Sequence, residues 1–227
     1  LETIAAALRA LRARISELER RYERPAGSVG LVAVSKTKPP EAVAAAHAAG
    51  QRDFGENQLQ DARTKIETLG DLDIVWHFIG PVQSNKTRGI AEAFSWVHSL
   101  DRIKIARRLN DQRPQGMPPL EVCIQVNVSG EATKSGIRME ALEEFTSAVS
   151  TLPRLRLRGL MTIPEPREEL AAQRLPFRQL RQAMLHLNQS GFDLDTLSMG
   201  MTDDMEAAIA EGATWVRIGT AIFGPRN

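Results

Sequence analysis

Eight short apolar runs alternate with helix-like stretches along the chain, and this alternation restricts the fold more than any other feature of the sequence. The runs lie at 31–35, 52–54, 74–79, 95–98, 120–128, 155–161, 194–198 and 214–218. Helical patterning occupies 40–49, 57–68, 101–110, 139–150, 169–189 and 203–211. Ser84, Asp101 and Thr202 are placed to cap helices, and Gly50, Gly70, Gly191 and Gly212 to end them. Strands this short and apolar suit a parallel sheet buried on both faces. Eight strand–helix units close into a (β/α)8 TIM barrel. The rival, an open doubly wound sheet, normally carries a Gly-rich first turn, which is missing here. The eighth run lies close to residue 227, so a closing helix is lacking. Residues 1–24 supply one, with Ile4, Leu8, Leu11, Ile15 and Leu18 spaced along a single face. The expectation is one α/β domain over 1–227, in the order (αβ)8.

The chain has 227 residues, a usual length for such a barrel, and a net charge of +1. That balance excludes a polyanion partner such as nucleic acid held by bulk electrostatics. The N-terminal arginines are interleaved with Glu17, Glu19 and Glu23 and read as a solvated helix face. Cys123 is the sole cysteine, so an internal disulfide is excluded; between Val122 and Ile124 it reads as a small buried hydrophobe. No segment has the apolar length of a membrane span, and no signal peptide precedes Leu1. A cytoplasmic protein is expected.

In a barrel, chemistry belongs at the C-terminal ends of the strands. Unusual polar residues gather there: Lys36 after the first run, Glu56 and Asn57 after the second, His77, Gln83, Asn85 and Lys86 at the third. The fifth run alternates Gln125 and Asn127 and leads to Glu131 and Lys134. The loops after strands seven and eight commonly hold phosphate. "LSMGMT" offers the Ser198 hydroxyl and close backbone approach at Gly200; "RIGTAIFG" offers the Gly219 amide and the Thr220 hydroxyl. Asp203 and Asp204 in the next helical turn would repel an anion on the helix end, which favours the loop amides. Parity puts Val32, Val34 and Lys36 on one side of strand one; if that side faces the axis, the amine projects over the mouth. A partly desolvated lysine there forms a Schiff base with a carbonyl, whereas a snorkelling lysine would only solvate the strand end. From these residues alone both readings stay open, and Lys38 is a rival amine.

The stretches "AVSKTKP", "FGENQLQ", "WHFIGPVQSNK", "GLMTIP" and "LSMGMTDDMEAAIAEGATWVRIGTAIFG" together resemble the YggS/PROSC family of pyridoxal phosphate homeostasis proteins. The resemblance runs from strand one to residue 226. It implies a barrel like the N-terminal domain of alanine racemase, of fold type III, with Lys36 holding pyridoxal 5'-phosphate as an aldimine. It further implies that Ser198, Gly200, Gly219 and Thr220 bind the phosphate, that Arg217 faces the pyridine nitrogen, and that Asn57 lies near the ring. His77 belongs to a family hallmark of open role, structural or cofactor-contacting, and Lys134 resembles a family lysine near the mouth. An arginine beside the ring nitrogen remains a cation and only donates, so the ring stays unprotonated and is a poor electron sink.

Three functions follow. The first is a carrier or buffer of pyridoxal phosphate, monomeric and not itself catalytic, serving pyridoxal phosphate-dependent apoenzymes. The second is an amino-acid racemase on the same lysine. The third is an aldolase-like barrel, disfavoured because strand one is an unusual address for that lysine. Two-base racemisation needs an acid/base opposite the lysine. In alanine racemase this is a tyrosine from a C-terminal domain of a partner subunit. The expectation here is a chain without that domain, whose single tyrosine, Tyr22, lies in the opening helix. Carrier is therefore the expected function.

Overall fold

The computed structural model describes residues 2–130 and 135–225. Nine parallel strands form its sheet: β1 (Gly30–Val34), β2 (Asp53–Glu56), β3 (Val75–Phe78), β4 (Trp96–Leu100), β5 (Leu120–Asn127), β6 (Ile137–Arg138), β7 (Leu155–Met161), β8 (Thr196–Ser198) and β9 (Trp215–Ile218). The hydrogen-bonded order runs β4-β3-β2-β1-β9-β8-β7-β5, and a β4–β5 pairing closes the circle. Eight strands thus make the barrel, while the two-residue β6 adds only to the end of β5. The helices are α1 (Glu2–Arg21), α2 (Pro40–Ala48), α3 (Leu59–Thr68), α4 (Thr87–Ala93), α5 (Ile103–Gln112), α6 (Leu142–Ser150), α7 (Leu170–Gln189), α8 (Met205–Ala210) and α9 (Thr220–Phe223).

Alternation along the strands sorts two environments. Leu31, Ala33, Phe54, Trp76, Phe78, Val97, Val122, Ile124, Leu160, Leu197, Val216 and Ile218 join the main core beneath the helices. Their sequence neighbours point to the axis, where Trp96, Cys123 and Met161 form a small separate cluster. Burial pushes the Cys123 thiol far up, so it is an inert filler. The opening helix closes the ring as expected. Leu8, Leu11, Ile15 and Leu18 are buried, and α1 packs against α2, α8 and the four-residue α9.

Two local expectations need correction. Ser84, Asp101 and Thr202 do not cap helices: the cap positions fall at Lys86, Arg102 and Asp204, without side-chain capping bonds. A short turn intervenes after Ser84 and after Thr202, whereas Asp101 stands one residue before its cap position; in the first, the Thr87 hydroxyl donates to the Ser84 carbonyl. Of the four stop glycines, Gly50, Gly191 and Gly212 have positive φ, but Gly70 does not. The Leu69 amide instead donates back to Lys65, so that helix ends without a left-handed residue.

Candidate functional site

The barrel order brings the sequence candidates together. β2, β1, β9 and β8 are consecutive neighbours. Asn57, Lys36, Gly219 and Gly200, which follow these strands, therefore share one half of the mouth.

Lys36 does not end the strand itself. β1 stops at Val34, the Ser35 amide extends the ladder to the Gly55 carbonyl, and Lys36 stands half-buried in the turn beyond. That turn closes with the Lys38 amide donating to the Ser35 carbonyl, and Thr37 within it has φ +64°. A β-branched residue with positive φ is strained, which marks a turn fixed by its surroundings. Those surroundings are visible. The Ser35 hydroxyl donates to Glu56 Oε1 at 2.5 Å, and Lys65 Nζ donates to both the Ser35 carbonyl and Glu56 Oε1 at 2.7 Å. Glu56 and Lys65 are buried, and burial raises the Glu56 carboxyl against the pull of Lys65. Glu56 thus faces the helix layer under α3 and not the mouth, contrary to its grouping with the mouth residues in the sequence. The rival Lys38 is committed elsewhere: its Nζ donates to the Pro225 carbonyl at 2.9 Å.

The two glycine loops are tight for steric reasons. Gly200 has φ +99°, and a Cβ there would lie 2.5 Å from the Ala208 Cβ. A Cβ on Gly219 would lie 3.0 Å from the Val34 carbonyl oxygen, so the β9 loop hugs the end of β1. The Arg217 amide donates to the Gly200 carbonyl, tying the loops to one another. Gly219 leads into α9, whose first amides have no helical carbonyl behind them, and the Thr220 side chain is exposed beside them. Asp203 and Asp204 precede α8, which starts at Met205. Asp204 folds back to accept the Met201 amide at 2.6 Å, and burial raises its carboxyl.

Arg217 is buried at the inner wall. Its Nη1 donates to Ser198 Oγ at 2.7 Å and its Nη2 to the Thr162 carbonyl at 3.1 Å. Burial lowers the guanidinium to about 10, still a cation at neutral pH. Ser198 departs from its expected use. Its hydroxyl is wholly buried between Arg217 and His98, with His98 Nδ1 at 2.6 Å, so it is not presented to an anion in the mouth. His77 takes the structural side of its two readings. It is fully buried, stacked on Trp96 with ring centroids 5.5 Å apart, and bonded to Asp53 and His98. His98, Asp53, Ser35 and Lys65 belong to the site's surroundings without a motif of their own in the sequence. Only Lys65 left a trace, because its spacing from Leu59 and Ala62 puts it on the buried face of α3. Lys134 and Glu131 lie outside the described residues.

A lysine amine, a buried guanidinium, two glycine loops that a Cβ would fill and an adjacent threonine hydroxyl suit a phosphorylated carbonyl compound with an acceptor nitrogen. The comparisons agree in kind. The chain matches the family described as alanine racemase, N-terminal domain, over residues 7–227. It is 62% identical over 227 residues to the pyridoxal phosphate homeostasis protein of Pseudomonas aeruginosa, taking in 100% of this chain and 97% of that protein. The solved structure of PipY from Synechococcus elongatus with PLP bound is similar at a TM-score of 0.86 and 38% identity, covering 97% of this chain and 100% of that one. Alanine racemase from Corynebacterium glutamicum shares the fold at a TM-score of 0.71 and 15% identity, covering 98% of this chain and 60% of that enzyme.

Proposed function

The chain belongs to the pyridoxal phosphate homeostasis protein family, on the alanine racemase N-terminal domain fold, and from this we propose that it binds pyridoxal 5'-phosphate and buffers it in the cytoplasm. The observation that carries the reading is the convergence of Lys36, Gly200, Arg217 and Gly219 from three adjacent strands on one side of the mouth. Bound there, the cofactor brings an aldehyde, a pyridine nitrogen and a phosphate. Lys36 Nζ would hold the aldehyde carbon covalently. Arg217 would donate to the ring nitrogen, leaving it unprotonated. The Gly200 and Gly219 loops and the Thr220 hydroxyl would hold the phosphate, with Asn57 beside the ring. Ser198 contributes from behind, by fixing Arg217. All these groups come from one barrel, so a monomer is sufficient for the site, and the cofactor passes from it to pyridoxal phosphate-dependent apoenzymes.

The test is an absorbance spectrum of the protein with pyridoxal phosphate, before and after borohydride, followed by peptide mapping. A yellow protein bleached to an adduct on Lys36 is expected. An adduct on Lys38 instead would overturn the assignment.

A further inference from the structure

We propose that Asp53, at the floor of the barrel, is a positioning residue for Arg217 at its mouth, acting through a one-way hydrogen-bond relay of His77, His98 and Ser198. Asp53 is the first residue of β2, while Arg217 is near the end of β9. The relay is continuous: Asp53 Oδ1 to His77 Nε2 at 3.0 Å, His77 Nδ1 to His98 Nε2 at 2.8 Å, His98 Nδ1 to Ser198 Oγ at 2.6 Å, and Ser198 Oγ to Arg217 Nη1 at 2.7 Å. It crosses the interior from β2, β3 and β4 to β8 and β9.

Valence gives the relay its direction. A guanidinium only donates and a carboxylate only accepts. Burial lowers His77 and lowers His98 further, so both imidazoles are neutral, each with one donor and one acceptor. A single order then satisfies every contact. Arg217 donates to Ser198, Ser198 to His98 Nδ1, His98 Nε2–H to His77 Nδ1, and His77 Nε2–H to Asp53. The carboxylate at the floor thereby selects the Nε2–H form of both histidines. It leaves the Ser198 oxygen turned to Arg217 as an acceptor, with its proton used on His98. The ring contacts make the relay rigid: His77 lies between Trp96 and the edge of Trp215, at centroid distances of 5.5 and 5.3 Å. The buried cation at the mouth gains a negative terminus at the floor through hydrogen bonds, in addition to the Coulombic pull of Asp204.

This inference rests on the reading of Arg217 as the ring-facing residue, and two independent readouts separate the two. The first is nitrogen-15 NMR of histidine-labelled protein without ligand, on the full chain and on Asp53→Asn. Nε2–H forms of His77 and His98 are expected in the parent, with altered tautomers in the variant, whose amide can donate to His77 and reverse the order. The second is equilibrium dialysis and the visible spectrum with pyridoxal phosphate. Asp53→Asn should weaken binding between about 2- and 30-fold, as coupling through a packed network allows, and shift the absorption band. If the parent binds no pyridoxal phosphate the functional reading fails, while the tautomers still decide the relay. Nδ1–H histidines in the parent overturn the relay. Altered tautomers with unchanged affinity and spectrum overturn the coupling to Arg217. Should Asp53→Asn not fold, His98→Gln interrupts the relay midway and is held to the same affinity and spectral outcomes.

Discussion

The ammonium of Lys65 lies 2.7 Å from Glu56 Oε1, in a pair that is almost wholly buried beneath the residue preceding Lys36. Both charges also grip Ser35, one through its hydroxyl and one through its carbonyl. The pair therefore fixes the departure of the chain from β1 into the Lys36 turn.

Lys65→Met should be strongly destabilising, because the Glu56 carboxylate is left buried and uncompensated, at a cost of about 3–5 kcal/mol. Adding Glu56→Gln should recover much of that loss, since a neutral pair has less to desolvate. Urea unfolding of the two variants measures both, and equal stabilities would contradict the pair's role.

Gly200→Ala should cost stability twice over, through its φ of +99° and through a Cβ placed 2.5 Å from that of Ala208. Gly191 has φ +101° with nothing near its Cβ position, so Gly191→Ala isolates the backbone effect. Overpacking adds typically 1–3 kcal/mol, so Gly200→Ala should unfold at lower urea than Gly191→Ala by about that amount. Its affinity for pyridoxal phosphate should fall as well, and that of Gly191→Ala should not.

Acid should weaken the protein through the relay histidines. Their folded-state values lie below the ordinary 6.5, so in mild acid the unfolded chain binds protons that the folded one refuses. Their stabilising contribution is complete above pH 6.5 and is lost as pH falls from there toward the folded values. Each imidazole contributes a slope of at most about 1.4 kcal/mol per pH unit. Unfolding free energies measured from pH 7.5 to 5 should show a steeper fall for the parent than for His98→Gln. Parallel curves would mean that His98 takes up its proton in the fold.

The loaded protein should not interconvert L- and D-alanine at an enzyme-like rate. Its single tyrosine is spent, Tyr22 donating to Glu206 at 2.9 Å where the end of α1 meets α8, and Arg217 in the proposed pose would give the ring nitrogen no proton. A missing acid/base alone removes roughly 10²–10⁴-fold. Chiral chromatography after incubation, with Lys36→Ala as control, checks this; rapid Lys36-dependent D-alanine would establish a racemase.

The alternation of apolar runs with helical stretches was enough to determine the barrel, the place of α1 in its ring and the position of Lys36, Asn57, Gly200 and Gly219 just beyond the C-terminal ends of strands. Those features depend on periodicity within a few residues and on the succession of elements along the chain, and both are written locally. The motifs carry the resemblance that implies Lys36 as the reacting amine, which position in the strand alone leaves open, and the fold adds that the rival Lys38 donates to the Pro225 carbonyl. What lies along the axis was decided by tertiary structure alone. His77 meets His98 across 21 positions of sequence, and His98 meets Ser198 across 100. Parity tells which side of a strand a residue takes, but not its height in the barrel or its partner across the lumen. Height follows from the relative register of eight strands, including a shift in β4 between Val97 and Leu100. For the same reason Ser198, legible as a phosphate ligand in "LSMGMT", is drawn inward: closure of the barrel brings a neutral imidazole and a buried guanidinium to its hydroxyl, and a buried polar group takes the partners that the fold supplies.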